Sequence, residues 1–247
     1  MYSVDKDMKV KALAIDIDGT LTENGSGMVH LGSLSMLRTV ERLGLRVIYV
    51  TGRSSVEAYV LSVFGGTTRI AVGENGGVVT TSPQQHKLLA DKSYSEKAYE
   101  FLKSRIDNVK IKPVFPRMTE VVLERTFDTV NAAQILKESG LPVIITDSKF
   151  AYHLNHESIN KSVGFKVALE IVGIKPEESI AIGDSETDVP LFDVCGYSIA
   201  LGNAEDDVKA SAKHSVKSND GNGLVEALDY LAYNFLGVKN GIQTPDK

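Results

Sequence analysis

Two aspartates, Asp16 and Asp18, lie two residues apart directly after the apolar run Val10–Ile15. A short apolar run of this kind predicts a buried strand, and because side chains alternate along a strand, the two carboxylates begin on the same side. Paired carboxylates at a strand end repel each other, and such a pair is usually held by a cation, most often a metal ion. The alternative is a solvent-exposed acidic turn with Asp18-Gly19 as its turn residues.

Further residues with suitable chemistry follow later apolar runs. Thr51-Gly52 follows one such run, Asp184 and Asp188 follow another, and Lys161 opens a helical pattern. Four carboxylates at one edge of a sheet favour Mg²⁺, because a hard cation prefers oxygen ligands. The Gly52 N–H before a helix and the lysine charge favour an anion beside that metal. Each residue alone also fits a helix cap, a first-turn acid or a solvated lysine, so the combination carries the prediction.

Alternating strands and helices are predicted to position these residues. The pattern gives a helix at Gly32–Gly44, a strand at Leu45–Val50, a helix at Ser54–Phe64 and a strand at Arg69–Val72. This alternation predicts an α/β fold with a doubly wound, mostly parallel sheet, in which ligands bind outside the carboxyl ends of the strands. The pattern resumes later with Lys161–Val172, Ser179–Ile182, Pro190–Cys195, Tyr197–Leu201, Ala204–Ser211 and Leu224–Phe235.

Between these two parts the pattern changes to paired strands with helices on one side, which predicts a small α+β insert. The catalytic core is therefore predicted to comprise residues 1–81 and 156–247, and the insert residues 82–155. The predicted elements of the insert are helices at Ser93–Ile106 and Thr129–Ser139 and strands at Val109–Phe115, Thr119–Arg125, Pro142–Thr146 and Phe150–Leu154.

Composition excludes several classes of function. The net charge of −5 for 247 residues argues against nucleic-acid and anionic-membrane partners, because there is no basic excess to neutralise phosphates. Cys195 is the single cysteine, so no internal disulfide forms. No apolar run approaches the roughly 20 residues that a membrane-spanning helix needs, and Met1–Lys9 has no secretory pattern. We expect a cytoplasmic protein whose residues Gly237–Lys247 fray; whether it forms a homodimer stays open.

The chain resembles the haloacid dehalogenase superfamily of phosphatases over nearly its whole length. Features resembling the Cof-type branch, which carries an α+β cap, are Glu74-Asn75-Gly76-Gly77 and Gly202-Asn203-Ala204. The short cap is similar to that of archaeal phosphoglycolate phosphatases. The chain departs from the pattern at Thr187, where many relatives have Asn, and at Lys161-Ser162, where Lys-Gly is common; Lys166 competes for the lysine position. The four superfamily motifs match, in order, Asp16-x-Asp18-Gly19-Thr20, Thr51-Gly52-Arg53, Lys161 and Gly183-Asp184-Ser185-x-x-Asp188.

The resemblance implies a role for each matched residue. Asp16 would attack phosphorus and form an aspartyl-phosphate, while Asp18 would act as general acid and then general base. The implied Mg²⁺ ligands are Asp16, the backbone carbonyl of Asp18 and Asp184, with Asp188 close by or acting through water. The implied phosphate-binding residues are Thr51, Gly52 and Lys161.

The predicted function is that of a Mg²⁺-dependent phosphomonoester hydrolase acting on a small phosphorylated metabolite, most closely phosphoglycolate. The alternatives are a sugar-phosphate phosphatase, a phosphomutase on the same scaffold and a non-catalytic protein that binds a phosphorylated ligand. A transition-metal site at His153, His156 and Glu157 is disfavoured, because strand alternation puts the two histidines on opposite faces. Arg117 is the hypothesised contact of the insert with the leaving group.

Overall fold

The computed structural model describes residues 8–23 and 26–238. Two sheets account for the strands in these ranges. The strands are β1 (Ala12–Ile15), β2 (Arg46–Val50), β3 (Ala71–Gly73), β4 (Val78–Ser82), β5 (Gln85–Leu88), β6 (Val121–Leu123), β7 (Val143–Asp147), β8 (Tyr152–His156), β9 (Ser179–Gly183), β10 (Tyr197–Ala200) and β11 (His214–Ser215). The helices are α1 (Leu31–Arg42), α2 (Ser55–Gly65), α3 (Lys92–Lys103), α4 (Thr129–Ser139), α5 (Lys161–Val172), α6 (Val189–Val194), α7 (Asp206–Ser211) and α8 (Asp220–Phe235).

The large sheet has the strand order β11-β10-β9-β1-β2-β3-β4-β5. Neighbouring strands from β11 to β3 pair in parallel, and β4 and β5 continue the sheet in antiparallel pairs. In the centre, Ile15 of β1 pairs with Tyr49 of β2 on one side and with Ile182 of β9 on the other. The predicted α/β class with a mostly parallel sheet is therefore confirmed.

Apolar side chains cover both faces of the large sheet. On β1, Leu13 and Ile15 belong to a buried cluster that includes Leu37 of α1 and Leu228 of α8. Ala14 of the same strand belongs to the opposite cluster, which holds Phe165 and Leu169 of α5. Because alternate residues of one strand serve two cores, the run reads as continuously apolar. Such burial on both faces holds the ends of β1 and its neighbours in fixed positions.

The second sheet is antiparallel, in the order β6-β8-β7. Leu123, Tyr152 and Leu154 lie in a core with the helices α3 and α4. Strand alternation turns the intervening residues Val122 and His153, which pair with each other, to the opposite face. Helices on one side of a small antiparallel sheet agree with the α+β character predicted for the insert.

Two parts of the insert region differ from the predicted elements. The predicted strand at Val109–Phe115 is absent, and Ile111 makes only an isolated bridge to Leu123. Pro113 and Pro116 lack the N–H that a strand ladder requires, which explains the difference.

The hairpin β4–β5 has no counterpart among the predicted elements, because its residues are largely polar. Its pairing places residues 85–88 in the large sheet, although they fall inside the predicted insert of 82–155. The division of the chain at residues 82 and 155 stays a prediction.

The expected fraying of the C-terminal tail falls mostly on residues 239–247, outside the described ranges. No helix of the described part is long and apolar enough to cross a membrane.

Candidate active site

Three neighbouring parallel strands end side by side and bring the predicted residues to one edge of the large sheet. Asp16 follows β1, and its N–H donates to the carbonyl of Ile182 in β9 at 3.1 Å. Thr51 follows β2 in the same way, and Asp184 follows β9. The convergence of these residues is thus a direct result of strand order, as expected for a parallel sheet.

Three buried or half-buried carboxylates and one ammonium group form the centre of the site. Asp16, Asp184 and Asp188 each offer an oxygen, and these oxygens lie within 4.8 Å of one another. The Lys161 Nζ lies 2.7 Å from Asp16 Oδ1 and 2.6 Å from Asp188 Oδ1. Its side chain is only 3% exposed. Asn160 caps helix α5 by accepting from two backbone N–H groups, which places Lys161 in the first turn of that helix.

Hydrogen-bond donors from several loops orient the carboxylates of Asp184 and Asp188. Asp188 Oδ2 accepts from the N–H of Asp184 at 3.1 Å and from the N–H and Oγ of Ser185 at 3.0 and 2.9 Å. Asp184 Oδ1 accepts from Thr20 Oγ1 at 2.8 Å, and Asp184 Oδ2 accepts from Asn203 Nδ2 at 2.9 Å. Thr20 and Asn203 belong to the motifs found in the sequence, but the sequence did not predict that they contact Asp184.

Charge in this cluster is unbalanced without a further cation. Burial raises the pKa of Asp16 well above its ordinary value; Lys161 opposes this shift, while Asp188 and Asp184 add to it. Burial and the charge of Asp188 raise the pKa of Asp184 to about 7. Burial alone would lower the pKa of Lys161, but Asp16 and Asp188 outweigh it and keep the pKa above its usual range. Three carboxylates share only one ammonium group, so the cluster has excess negative charge. Because all three offer oxygen ligands, they fit a bound Mg²⁺.

Two glycines allow the close approach of the acidic side chains. Gly19 has φ +81°, and a Cβ at this position would lie 2.6 Å from Asp184 Oδ2. At Gly183, a Cβ would lie 2.4 Å from Asp188 Cγ. Any side chain at either position would displace a carboxylate, so both glycines are required by the geometry of the site.

The Asp18 carboxylate lies outside this cluster. Its side chain is 51% exposed and pairs with Arg53, with Nη2–Oδ1 at 2.7 Å and Nε–Oδ2 at 2.8 Å. Arg53 Nη1 also donates to Glu57 Oε1 at 3.2 Å. Strand β1 ends at Ile15, so the alternation that predicted Asp16 and Asp18 on one side does not extend through the turn. Asp18 is therefore available to solvent and to a ligand above the carboxylate cluster.

The predicted anion-binding turn lies between β2 and α2. Thr51 is fully buried, and its Oγ1 accepts from the N–H of Arg53 at 3.1 Å. The Gly52 carbonyl accepts from Arg117 Nη1 of the insert at 2.8 Å. Ser54 caps helix α2 together with Glu57, so Thr51 and Gly52 lie just before a helix N-terminus, where an anion is favoured.

A left-handed turn between β3 and β4 of the large sheet contacts the insert through hydrogen bonds. Glu74 and Asn75 have φ of 55° and 53°. The buried Glu74 carboxylate accepts from the N–H groups of Met118 and Thr119 and from Thr119 Oγ1, at 2.8–3.0 Å. A further contact of the insert, with the loop before α7, is the ion pair of Lys149 with Glu205. The insert is thereby held over the edge where the carboxylates meet.

The structure separates the competing candidates. Lys161 lies at the carboxylates, whereas Lys166 is exposed farther along the same helix. His153 is buried and contacts Glu120 and Ser148, while His156 contacts Ser158. Within residues 8–23 and 26–238, the three aspartates are the one group able to hold a metal ion. The two histidines of the insert thus have separate hydrogen-bond partners.

Known proteins share both the sequence and the architecture. The sequence matches the haloacid dehalogenase-like hydrolase family over residues 13–139 and 121–228. A phosphoglycolate phosphatase of Nitrosopumilus maritimus is 52% identical over 225 residues, which cover 91% of this chain and 97% of that protein. A protein structure from Thermoplasma acidophilum has a TM-score of 0.80 at 23% identity, covering 90% of this chain and 97% of that one. A sugar phosphatase of haloacid dehalogenase subclass IIB has a TM-score of 0.74 at 18% identity, covering 90% and 99%.

The chain belongs to the haloacid dehalogenase-like hydrolase family. The resemblance inferred from its four motifs is confirmed, and so is the prediction that it is a phosphatase of that family. Both solved structures are less than 25% identical in sequence to this chain, so their likeness is evidence for the fold alone.

Proposed function

We propose that this phosphatase uses Mg²⁺ and an aspartyl-phosphate intermediate to hydrolyse 2-phosphoglycolate to glycolate and phosphate. The substrate is supported by the 52% identity, over almost the whole of both chains, to a protein named phosphoglycolate phosphatase. The observation that carries the chemistry is the buried cluster of Asp16, Asp184 and Asp188 around Lys161. Such a cluster suits phosphoryl transfer, in which positioning and charge stabilisation provide most of the rate.

Asp16 acts first in the proposed reaction. One of its carboxylate oxygens forms a bond to phosphorus as the bond from phosphorus to the glycolate oxygen breaks. Lys161, bonded to Asp16 at 2.7 Å, holds the nucleophile in place and contributes positive charge to the phosphoryl oxygens. Water then attacks phosphorus, the Asp16–phosphorus bond breaks, and phosphate leaves with Asp16 regenerated.

Asp18 carries the proton in both steps. It donates a proton to the departing glycolate oxygen and later takes one from the attacking water. Because Arg53 holds the Asp18 carboxylate at two points in this structure, the pair has to open for Asp18 to reach the reacting oxygen.

Asp16, Asp184, Asp188 and the backbone carbonyl of Asp18 are the groups that would hold Mg²⁺. When bound, the metal supplies positive charge that offsets the repulsion between the nucleophile and the phosphate dianion. Thr51 and the Gly52 N–H, next to the N-terminus of α2, bind the remaining phosphoryl oxygens.

A substrate panel with the purified enzyme tests this function. Phosphate release is measured from 2-phosphoglycolate, hexose phosphates, a nucleoside monophosphate and p-nitrophenyl phosphate, each with Mg²⁺ and with EDTA. We expect phosphoglycolate to have the highest kcat/KM, no turnover in EDTA, and recovery when Mg²⁺ is restored. Preference for a hexose phosphate, transfer of phosphate to a sugar, or full turnover in EDTA would each contradict the proposal.

A further inference from the structure

The insert reaches the phosphate-binding turn through a single buried arginine, Arg117. This residue lies in the loop before β6, and its side chain is only 8% exposed. Its Nη1 donates to the carbonyl of Gly52 at 2.8 Å. The guanidinium therefore contacts the turn whose Gly52 N–H is proposed to bind the substrate phosphate.

One edge of this guanidinium has no protein partner. Within the described ranges, the hydrogen bond and the ion pair of Arg117 both use Nη1, and the buried Nε has no hydrogen-bond partner. The edge formed by Nε and Nη2 is one that binds a carboxylate at two points. Arg53 uses these two nitrogens to hold the Asp18 carboxylate. The Arg117 edge is thus a carboxylate-binding group without its carboxylate.

A second unpartnered donor lies against the same turn. The Nδ2 of Asn75 is buried and has no hydrogen-bond partner among the described residues. A Cβ built on Gly52 would lie 3.1 Å from Asn75 Oδ1 and 3.5 Å from Asn75 Nδ2, which shows that this amide packs on Gly52. Buried donors in proteins are nearly always paired. Arg117 and Asn75, which both contact Gly52, thus each carry an unpaired donor that a ligand with acceptor oxygens can satisfy.

A series of buried polar contacts holds the Arg117 side chain in place. Glu120 is fully buried; its Oε1 lies 3.1 Å from Arg117 Nη1, and its Oε2 lies 3.0 Å from His153 Nδ1. His153 Nε2 in turn lies 3.1 Å from Ser148 Oγ. The Glu120 contact and the Gly52 carbonyl both engage Nη1, so they orient the guanidinium and leave Nε and Nη2 without a hydrogen-bond partner among the described residues.

We propose that Arg117, assisted by Asn75, binds the carboxylate of the leaving group and so selects phosphoglycolate over phosphomonoesters whose leaving group is uncharged. This inference rests on the proposed function, because it needs a substrate that carries a carboxylate next to the phosphorylated oxygen. Lys149, another cation of the insert, is exposed and already pairs with Glu205. A site built to pair with a charged group discriminates strongly against ligands that lack it.

Replacement of Arg117 by methionine tests the proposal. We expect R117M to raise KM for phosphoglycolate about 10- to 100-fold more than it raises KM for p-nitrophenyl phosphate, since the loss of a charged hydrogen bond affects only the substrate that carries a carboxylate. Arg117→Lys, which keeps the charge but loses the two-point geometry, should fall between wild type and R117M. The matched control is Arg105→Met, because Arg105 is half-exposed and pairs with Glu138 on the helical side of the insert.

The outcomes separate the two proposals. If wild type does not prefer phosphoglycolate, the proposed function fails before any variant is compared. If wild type prefers it and R117M alters both substrates equally, Arg117 serves only to anchor the insert and this inference is overturned. Circular dichroism and thermal melting of each variant, with R117K as the less disruptive replacement, distinguish loss of folding from loss of selectivity.

Discussion

Two buried polar clusters, one at the strand ends of the large sheet and one in the insert, differ in their charge. The cluster at the ends of β1 and β9 holds Asp16, Asp184 and Asp188 against the single ammonium of Lys161. The cluster of the insert pairs one guanidinium with one carboxylate and one imidazole. The first has excess negative charge and requires a cation, whereas the second is nearly neutral within the protein. Under the proposed function, excess negative charge suits the cluster that would perform the chemistry, and a paired guanidinium suits the cluster that would select the substrate.

The largest effect is expected from the nucleophile. Asp16→Asn should lower kcat by about 10³-fold or more, because in the proposed mechanism this residue forms the covalent bond to phosphorus. Its melting temperature without Mg²⁺ should equal or exceed that of wild type, since the substitution removes one of three carboxylates that repel each other. Steady-state kinetics and thermal melting check this pair of outcomes. Activity near that of wild type would remove Asp16 from its assigned role.

The next effect concerns the cation of the same cluster. Lys161→Met should reduce the free energy of unfolding by about 3–5 kcal/mol, because it leaves buried carboxylates without a partner. Lys166→Met, on the exposed side of the same helix, should stay within about 0.5 kcal/mol of wild type. Urea unfolding followed by circular dichroism measures both. Equal stability of the two variants would show that Lys161 does not balance the charge of the cluster.

The smallest effect is expected at the exposed pair of Asp18 and Arg53. Its two-point geometry matches that of a strong ion pair, but both side chains contact solvent, so Arg53→Met should change the free energy of unfolding by about 1 kcal/mol at most. The same urea measurement tests it. A loss of unfolding free energy as large as that of Lys161→Met would mean that burial does not determine how much an ion pair of this protein contributes to stability.

The sequence predicted the edge of the large sheet better than the contacts made there. Asp16, Thr51 and Asp184 could be placed because each follows an apolar strand, and strand order alone brings parallel strand ends together. The turn at Gly19, with φ +81°, redirects the chain after β1. Its effect on Asp18 could not be obtained from alternation, because the partner Arg53 comes from another strand end.

The insert was harder to predict for a related reason. The segment Val109–Phe115 has the apolar content of a strand, but Pro113 and Pro116 remove donors from the ladder. The contacts of Glu74 with Met118 and Thr119 join residues more than forty positions apart. Such contacts depend on how two sheets meet, and neither periodicity nor local propensity contains that information.

The left-handed turn at Glu74 and Asn75 also has a mechanical consequence. Glu74 holds the insert at Thr119, Asn75 packs on Gly52, and a Cβ on the next residue, Gly76, would lie 2.0 Å from the Asn160 carbonyl. One strained turn therefore contacts the insert, the Thr51-Gly52 turn and the N-terminal cap of helix α5. Because these contacts share one turn, any displacement of the insert would also shift the residues that are proposed to bind phosphate.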